Sequence, residues 1–169
     1  PLLRVLNVRG NRISYLSPET FEGTDQLWHL SLAENILGEG LLPTGAFAHL
    51  RNLRSLDLSH NNIQHFPANL LLGLKKLGSI ALDGSRLSGP ELTGLLSDTP
   101  ALKRLSVANT TLRGLSRETL AGVPQLEELA LVSAGLGEFP ARALEPLRKL
   151  RSLDLSGNGL SALHPYALA

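Results

Sequence analysis

The sequence predicts an α/β solenoid, a curved right-handed coil with a parallel β-sheet on its concave face and mostly irregular or 3₁₀ segments on its convex face. The main observation is an eleven-residue phrase, L-x-x-L-x-L-x-x-N-x-L, which recurs with small departures along the chain. Its seven copies begin at Leu3, Leu27, Leu53, Leu77, Leu102, Leu126 and Leu150. A fixed period of about 20–50 residues is the sequence signature of a solenoid. We therefore expect residues 1–169 to form one solenoid of about seven repeats, without a second domain.

Each copy is expected to open with a short strand. Apolar and other positions alternate within the phrase, as expected for a strand with one buried face. In the first copy Leu3, Leu6 and Val8 are expected to face inward, and Val5 and Asn7 outward. One copy is too small to bury its apolar row, but stacked copies can pair their strands into a parallel sheet above a shared core.

The ninth residue of the phrase is expected to turn the chain out of the strand. An asparagine side chain can bond the backbone groups that such a turn leaves unpaired. We interpret the asparagines at this position as a structural ladder: Asn11, Asn35, Asn61 and Asn158. Ser85 and Thr110 replace them in the fourth and fifth copies, and Ala134 in the sixth. Because a hydroxyl can make some of these hydrogen bonds and a methyl group none, we expect the stack to be least regular at Ala134.

The second half of each copy is expected to return the chain along the convex side. Six residues before each next phrase an apolar residue recurs, which predicts a second buried row: Phe21, Phe47, Leu71, Leu96, Leu120 and Leu144, with Leu168 in the same place of the last copy. Prolines stand in these segments, at Pro18, Pro43, Pro67, Pro140 and Pro165. Proline disfavours strands and helix interiors, so we expect extended stretches, turns and 3₁₀ pieces with one or two brief helices.

These phrases resemble the leucine-rich repeat family, and the resemblance covers essentially the whole chain. The 24-residue unit with L-S-P-E-T-F-E-G at Leu16–Gly23 is similar to the typical subclass of that family. The resemblance implies a secreted or cell-surface binding protein without naming its ligand, since one fold serves many functions. The 26-residue second copy, with N-I-L-G-E-G-L-L-P-T-G-A-F at Asn35–Phe47, is similar to secreted arthropod members that include non-catalytic subunits of an enzyme complex.

Composition and charge argue against several classes of function. The chain carries a formal net charge of +1, which gives no electrostatic reason to expect nucleic acid or an acidic membrane surface as a partner. It contains no run of about 18 apolar residues, so we expect no membrane insertion by this segment.

The two ends of the chain suggest a piece of a longer protein. A solenoid closes its terminal cores with polar capping units. The resemblance implies cysteine-rich caps, yet the chain has no cysteine and stops at Ala169 in the middle of a copy. We therefore expect a fragment without its terminal caps. An intracellular repeat protein without disulfides is the alternative, because a chain without cysteine also fits a reducing compartment.

The outward residues of the strands form the predicted concave face, which repeat proteins usually present to their partners. Most of them are small and uncharged. The candidate partner-binding residues are the charged and aromatic side chains on or beside this face: Arg9, Trp28, His29, Asp57, Asp83, Arg104 and Glu128. Trp28 stands at the second position of its phrase, so it either anchors a partner or packs against a neighbouring copy. Asp57 lies in the common wording L-D-L-S, which favours a solvated side chain.

Three of these charges are expected to form a row across neighbouring strands. Asp83, Arg104 and Glu128 follow one another in the fourth, fifth and sixth copies. The row is either a surface ion ladder, which adds little stability, or the polar part of a binding site.

No residue pattern predicts catalysis, a cofactor or a metal ion. The five histidines lack metal-ligand spacing, and His60 and His65 are expected to be solvated loop side chains. Neither a phosphate-binding glycine loop nor a G-x-S-x-G elbow is present. Asn109-Thr110-Thr111 matches the N-x-[ST] acceptor pattern, which makes Asn109 a glycosylation candidate.

The sequence is therefore interpreted as a non-enzymatic recognition module of a secreted or cell-surface protein, with a protein ligand or partner subunit on its concave face. Two alternatives stay open, namely a non-catalytic scaffold subunit of a secreted enzyme complex and an intracellular repeat scaffold. The residues do not choose between a receptor and a secreted protein.

Overall fold

The seven copies fold into one parallel β-sheet whose seven strands follow the order of the sequence. The computed structural model describes residues 2–38, 40–165 and 167–168, so Ala169 lies outside the described residues. The strands are β1 (Val5–Asn7), β2 (His29–Ser31), β3 (Ser55–Asp57), β4 (Ser79–Ala81), β5 (Arg104–Ser106), β6 (Glu128–Ala130) and β7 (Ser152–Asp154). Each strand begins two residues after the first leucine of its copy. The predicted parallel sheet is confirmed.

Neighbouring strands pair in register, so equivalent positions of neighbouring copies lie side by side. At the first strand position, Val5 pairs with His29 and His29 with Ser55, and the same register continues to β7. The middle residue of each strand faces the core, where five of them are buried: Leu30, Leu56, Ile80, Leu105 and Leu129. Their counterparts in the first and last strands, Leu6 and Leu153, are half-buried against the same core.

A second apolar row lies opposite the sheet, as the sequence predicts. Its buried members are Phe21, Phe47, Leu71, Leu96 and Leu120. The rings of Phe21 and Phe47 lie 5.9 Å apart between centroids. The prediction of a buried second row is wrong at its last member, because Leu168 is 76% exposed. The prediction of an inward Leu3 in the first strand copy is also wrong, because Leu3 is 42% exposed. Each of these residues lies in a copy at one end of the sequence, where the structure describes a neighbouring copy on one side.

The return segments of the first three copies consist of turns. Backbone hydrogen bonds span three residues, from Thr20 N to the Ser17 carbonyl at 3.1 Å and from Ala46 N to the Pro43 carbonyl at 3.0 Å. This confirms the predicted turns. The later copies depart from the expectation of one or two brief helices, since the described residues form three: α1 (Gly89–Leu96), α2 (Arg117–Ala121) and α3 (Ala141–Leu144).

Helix α1 forms because its first turn satisfies its own backbone. Ser88 Oγ accepts from Glu91 N at 3.4 Å, and Glu91 Oε2 accepts from Ser88 N at 3.0 Å. This reciprocal pair is a capping box. Pro90 stands in the first turn, where proline is tolerated because the missing N–H has no partner within the helix. Proline is therefore compatible with a helix at its start, although it disfavours the helix interior.

None of the described helices is long and apolar enough to cross a membrane. The longest of them, α1, has eight residues. Its role is to pack beside α2, which in turn packs beside α3.

Candidate binding face

The floor of the concave face consists of short side chains. A shallow trough crosses β4 to β7, and its outward side chains are Ser79, Ala81, Arg104, Ser106, Glu128, Ala130, Ser152 and Asp154. Short side chains leave the sheet surface open along four strands, so larger side chains of a partner can reach it. The charged residues predicted from the sequence lie on this face or at its two edges.

Arg9 is paired with a residue that the sequence analysis missed. Arg9 Nη2 donates to Glu34 Oε1 at 2.6 Å, and both side chains are about half exposed. The hydrogen bond and charge of Glu34 raise the pKa of Arg9, and Arg9 lowers the pKa of Glu34 in return. Glu34 is the eighth residue of its phrase, one place beyond the outward strand positions, which is why a survey of those positions did not include it.

The carboxylates of Asp57 and Asp83 accept hydrogen bonds near the ends of β3 and β4. Asp57 Oδ1 accepts from Ser59 N at 3.0 Å. Asp83 Oδ1 accepts from Ser106 Oγ at 2.7 Å and from Ala108 N at 2.8 Å, which connects the fourth copy to the fifth. Both carboxylates therefore already have hydrogen-bond partners within the protein.

The predicted row of three charges is wrong at Asp83. The register pairs Ser79 with Arg104, so Asp83 lies four residues beyond the position beside Arg104 and outside β4. Arg104 and Glu128 do lie side by side, with Nη1 and Oε1 3.9 Å apart and both side chains more than half exposed. Strands paired in register bring the same position of neighbouring phrases side by side. Asp83 is the seventh residue of its phrase and Arg104 the third of its own, so the two do not meet.

Trp28 lies on the surface beside the first residue of β2. Its side chain is 43% exposed, and its ring centroid is 6.2 Å from that of His29 in an edge-on arrangement. Trp28 N donates to the Arg4 carbonyl at 2.9 Å, and its carbonyl accepts from Arg54 N at 2.8 Å. The backbone of Trp28 is therefore bonded to Arg4 on one side and to Arg54 on the other. The indole is accessible to a partner.

The ladder asparagines join consecutive copies. Asn61 Oδ1 accepts from Leu37 N at 3.0 Å, and its Nδ2 donates to the carbonyls of Leu32 and Leu58 at 2.9 and 3.0 Å. Asn35 and Asn158 make equivalent bonds to the copy that precedes each of them. Asn11, in the first copy, bonds only within its own turn.

The substituted ladder positions differ from the expectation. The hydroxyls of Ser85 and Thr110 are buried and make no hydrogen bond with the described residues. Both side chains are shorter than that of asparagine. At Ala134, where the least regular turn was expected, the backbone is instead well bonded. Ala134 N and Leu136 N both donate to Asn158 Oδ1 at 3.0 Å.

The remaining predicted side chains lie at the surface. Asn109 is exposed in the turn after β5, with a φ of 52°, so its glycosylation stays a prediction. His60 is exposed, and His65 is exposed with its Nδ1 2.8 Å from Glu91 Oε1. Within the described residues, no group of three or more His, Cys, Asp or Glu side chains could hold a metal ion.

Known proteins with similar sequences repeat the same phrase. The family described as leucine rich repeat matches residues 40–87 and 100–160, and a second description of this repeat matches residues 2–24. Podocan-like protein 1 of Homo sapiens is 32% identical over 166 residues, which cover 96% of this chain and 31% of that protein. The transforming growth factor beta activator LRRC32 of Mus musculus is 34% identical over 128 residues, 75% of this chain and 16% of that protein. The chain thus spans less than a third of either relative.

A solved structure shares the fold over almost the whole chain. TLR13, in its complex with ssRNA13, superposes with a TM-score of 0.77 at 30% identity, covering 93% of this chain and 22% of that one. The relatives are proteins of the extracellular space or cell surface, and this protein is likewise extracellular or at the cell surface. Repeat phrase, parallel sheet and family match agree, and the chain belongs to the leucine-rich repeat family.

Proposed function

We propose that this protein recognises a protein partner through the concave face of its sheet and has no catalytic role. The observation that carries the proposal is the open trough across β4 to β7, with its floor of serine and alanine side chains. Seven strands in one hydrogen-bonded sheet hold this surface rigid. A surface that is ordered before binding loses little conformational entropy when the partner binds.

The charged groups on the concave face are few and mostly paired, so they select which partner fits more than they add binding free energy. Arg104 and Glu128 offer one positive and one negative group side by side at the trough. Asp57 and Asp83 already accept hydrogen bonds from the protein. A partner that fits the trough would therefore contribute its own large side chains, since interface energy concentrates in a few well-buried anchors.

The relatives support a protein partner in different degrees. LRRC32 is named as an activator of transforming growth factor beta, which is itself a protein. TLR13 was solved with single-stranded RNA. For this chain we favour a protein, because the trough has a nearly balanced charge, whereas nucleic-acid interfaces are strongly basic.

The test compares one substitution on two surfaces. Ala130 is half-buried on the concave floor in β6, and Ala121 is exposed at the end of α2 on the convex side. Ala130→Arg and Ala121→Arg add the same charge and the same bulk. A panel of purified ectodomains of secreted and cell-surface proteins would be screened by surface plasmon resonance against the immobilised protein.

For any ectodomain that binds, Ala130→Arg should raise the Kd at least about tenfold, and Ala121→Arg should change it less than about twofold. If binding survives Ala130→Arg and is lost with Ala121→Arg, the partner uses the convex side and the proposal is wrong. Circular dichroism and thermal unfolding of both variants would show that the sheet is intact.

A further inference from the structure

A row of basic side chains follows the edge of the sheet at which the strands begin. The second residue of each phrase lies there, and backbone hydrogen bonds place these residues side by side: Trp28 N to the Arg4 carbonyl, Arg54 N to Trp28, Gly78 N to Arg54, and Lys103 N to Gly78, all at 2.8–2.9 Å. The parallel register thus aligns positions that are 24 to 26 residues apart in the sequence.

Five cations and one tryptophan line a single groove along this edge. We call this groove the basic strip: Arg4, Trp28, Arg54, Lys76, Lys103 and Arg104. The other lining residues are neutral, and none is acidic. In a chain whose formal net charge is only +1, five positive charges in one groove are a strong local excess. Such a potential attracts an anionic partner from a distance.

Three of the five cations, Arg4, Arg54 and Lys76, have no acidic partner in the described part of the chain. Arg4 and Arg54 are exposed, and neither forms an ion pair there. Lys76 Nζ donates to the neutral amide of Asn52 at 2.6 Å. Lys103 and Arg104 do form ion pairs, with Glu127 at 3.2 Å and with Glu128 at 3.9 Å. Most of the positive charge in the strip is therefore available to a ligand.

The geometry of the strip suits a linear ligand with repeated negative charges. Neighbouring strands are about 4.8 Å apart, so Arg4, Arg54 and Lys103, on alternate strands, recur about every 10 Å over a length of about 19 Å. Gly78 has no side chain between Arg54 and Lys103, which leaves the floor of the groove open at that point. A single small anion would contact only one of these cations.

We propose that the basic strip binds an acidic polysaccharide, namely a sulfated glycan chain of the heparin type. The protein is extracellular or at the cell surface, where clusters of lysine and arginine recognise such chains. The exposed indole of Trp28 offers a flat apolar face to a sugar ring, between Arg4 and Arg54. This site is largely distinct from the trough proposed for the protein partner, although Ser79 and Arg104 line both.

Other polyanions fit the strip less well. Sites for single-stranded nucleic acid stack successive bases on several aromatic side chains, and the strip contains one. An acidic protein segment would need pockets for its apolar side chains, and Trp28 is the one large apolar side chain lining this groove. A sulfated chain needs neither stacking at every unit nor apolar pockets.

The experiment measures binding of the full chain to immobilised, size-fractionated heparin oligosaccharides by surface plasmon resonance at several salt concentrations. Arg54→Glu reverses one charge of the strip. Gly78→Glu adds a negative charge at its open floor, where a new Cβ would lie 3.7 Å from the Arg54 carbonyl oxygen, an ordinary contact. Arg142→Glu is the matched control, because Arg142 is exposed on the convex side in α3.

We expect Arg54→Glu and Gly78→Glu each to weaken binding about tenfold or more, and Arg142→Glu to change it less than about twofold, because screened charges outside the groove act weakly. Neutralising one contact with Arg54→Gln should also reduce the slope of log Kd against log salt concentration by about one. Unchanged melting temperatures would show that the variants remain folded.

Several results would overturn the proposal. It is wrong if the unmodified protein does not bind heparin at physiological salt, or if the strip variants and the control bind equally well. It is also wrong if oligodeoxythymidylate or polyglutamate of similar length binds as tightly as heparin, since the ligand class would then differ. Ala130→Arg should leave heparin binding unchanged, which separates this site from the proposed protein interface.

Discussion

Asn61 shows how one side chain joins two copies of the repeat. It lies almost fully buried, and its amide bonds one backbone N–H and two carbonyls at 2.9–3.0 Å. None of these backbone groups lies in a strand. A buried backbone group without a partner costs about 1–3 kcal/mol, so the amide stabilises both turns at once.

Replacing this amide should destabilise the stack. We expect Asn61→Ala to lower the free energy of unfolding by about 3 kcal/mol, since it removes the partner of the Leu37 N–H and of the Leu58 carbonyl. Asn62→Ala is the matched control, because Asn62 is exposed and its side chain makes no hydrogen bond with the described residues. Urea unfolding followed by circular dichroism measures both. Equal losses for the two variants would contradict the role assigned to Asn61.

The sequence predicts the ladder positions, but not how their substitutes behave. Spacing alone identifies Asn35, Asn61 and Asn158, because the phrase repeats in a fixed frame. It does not show that the hydroxyls of Ser85 and Thr110 lack partners. That outcome depends on the reach of the side chain in three dimensions, where differences of about an ångström decide whether a hydrogen bond forms.

At the scale of the element, α1 is the part of the structure that departs most from the prediction. The sequence Ser88-Gly89-Pro90-Glu91 contains the pattern of a capping box, in which a serine precedes a glutamate by three residues. Proline disfavours a helix interior but is favoured in a first turn, so Pro90 is compatible with a helix that begins at this position. The strands were easier to predict, because their alternating pattern is repeated seven times.

The two glycines of α1 are in opposite situations. A Cβ at Gly89 would lie 2.1 Å from the Gly114 carbonyl oxygen, whereas a Cβ at the exposed Gly94 would meet nothing within 4 Å. Gly89 N also donates to the Arg113 carbonyl at 2.7 Å. Helix α1 therefore begins in direct contact with the backbone of the fifth copy.

We expect Gly89→Ala to destabilise the protein by at least about 2 kcal/mol, because the backbone must move apart. Gly94→Ala should stabilise it by about 1 kcal/mol, because alanine favours helix over glycine. Thermal unfolding of the two variants provides the comparison. A stable Gly89→Ala protein would show that α1 can shift away from the fifth copy.

The cap of α1 should respond to acid. Partial burial acts to raise the pKa of Glu91, but hydrogen bonds from His65 and Ser88 outweigh it and hold the pKa below its ordinary value. A lowered pKa in the folded state means that Glu91 stabilises the fold above its unfolded pKa of about 4.3 and loses this contribution as the pH falls through the lower folded value.

Glu91→Gln should accordingly lower stability by about 1 kcal/mol at pH 7, and the difference from the unmodified protein should shrink below about pH 4. Urea unfolding at a series of pH values measures this. A difference that stays constant from pH 7 to pH 3 would show that the charge of Glu91 does not support the cap.

At the scale of the whole molecule, the repeat period predicts the number, order and direction of the strands. The repeat period does not by itself predict the basic strip, because the second residue of each phrase is not one of the outward strand positions. Arg4, Arg54 and Lys103 become neighbours only when the copies are compared at that position. Ion pairs such as Arg9–Glu34 are harder still, since they depend on the conformations of two long side chains.

The in-register pairing has a consequence for how such a surface can change during evolution. The second copy is 26 residues long, yet His29 still pairs with Ser55 as Val5 pairs with His29. Extra residues are thus accommodated between the strands, and the sheet keeps its alignment. Duplication of a whole copy would lengthen the row of second positions by one strand, about 4.8 Å, without disturbing any existing neighbour pair elsewhere. Selection could in this way adjust the number of anchoring cations one module at a time.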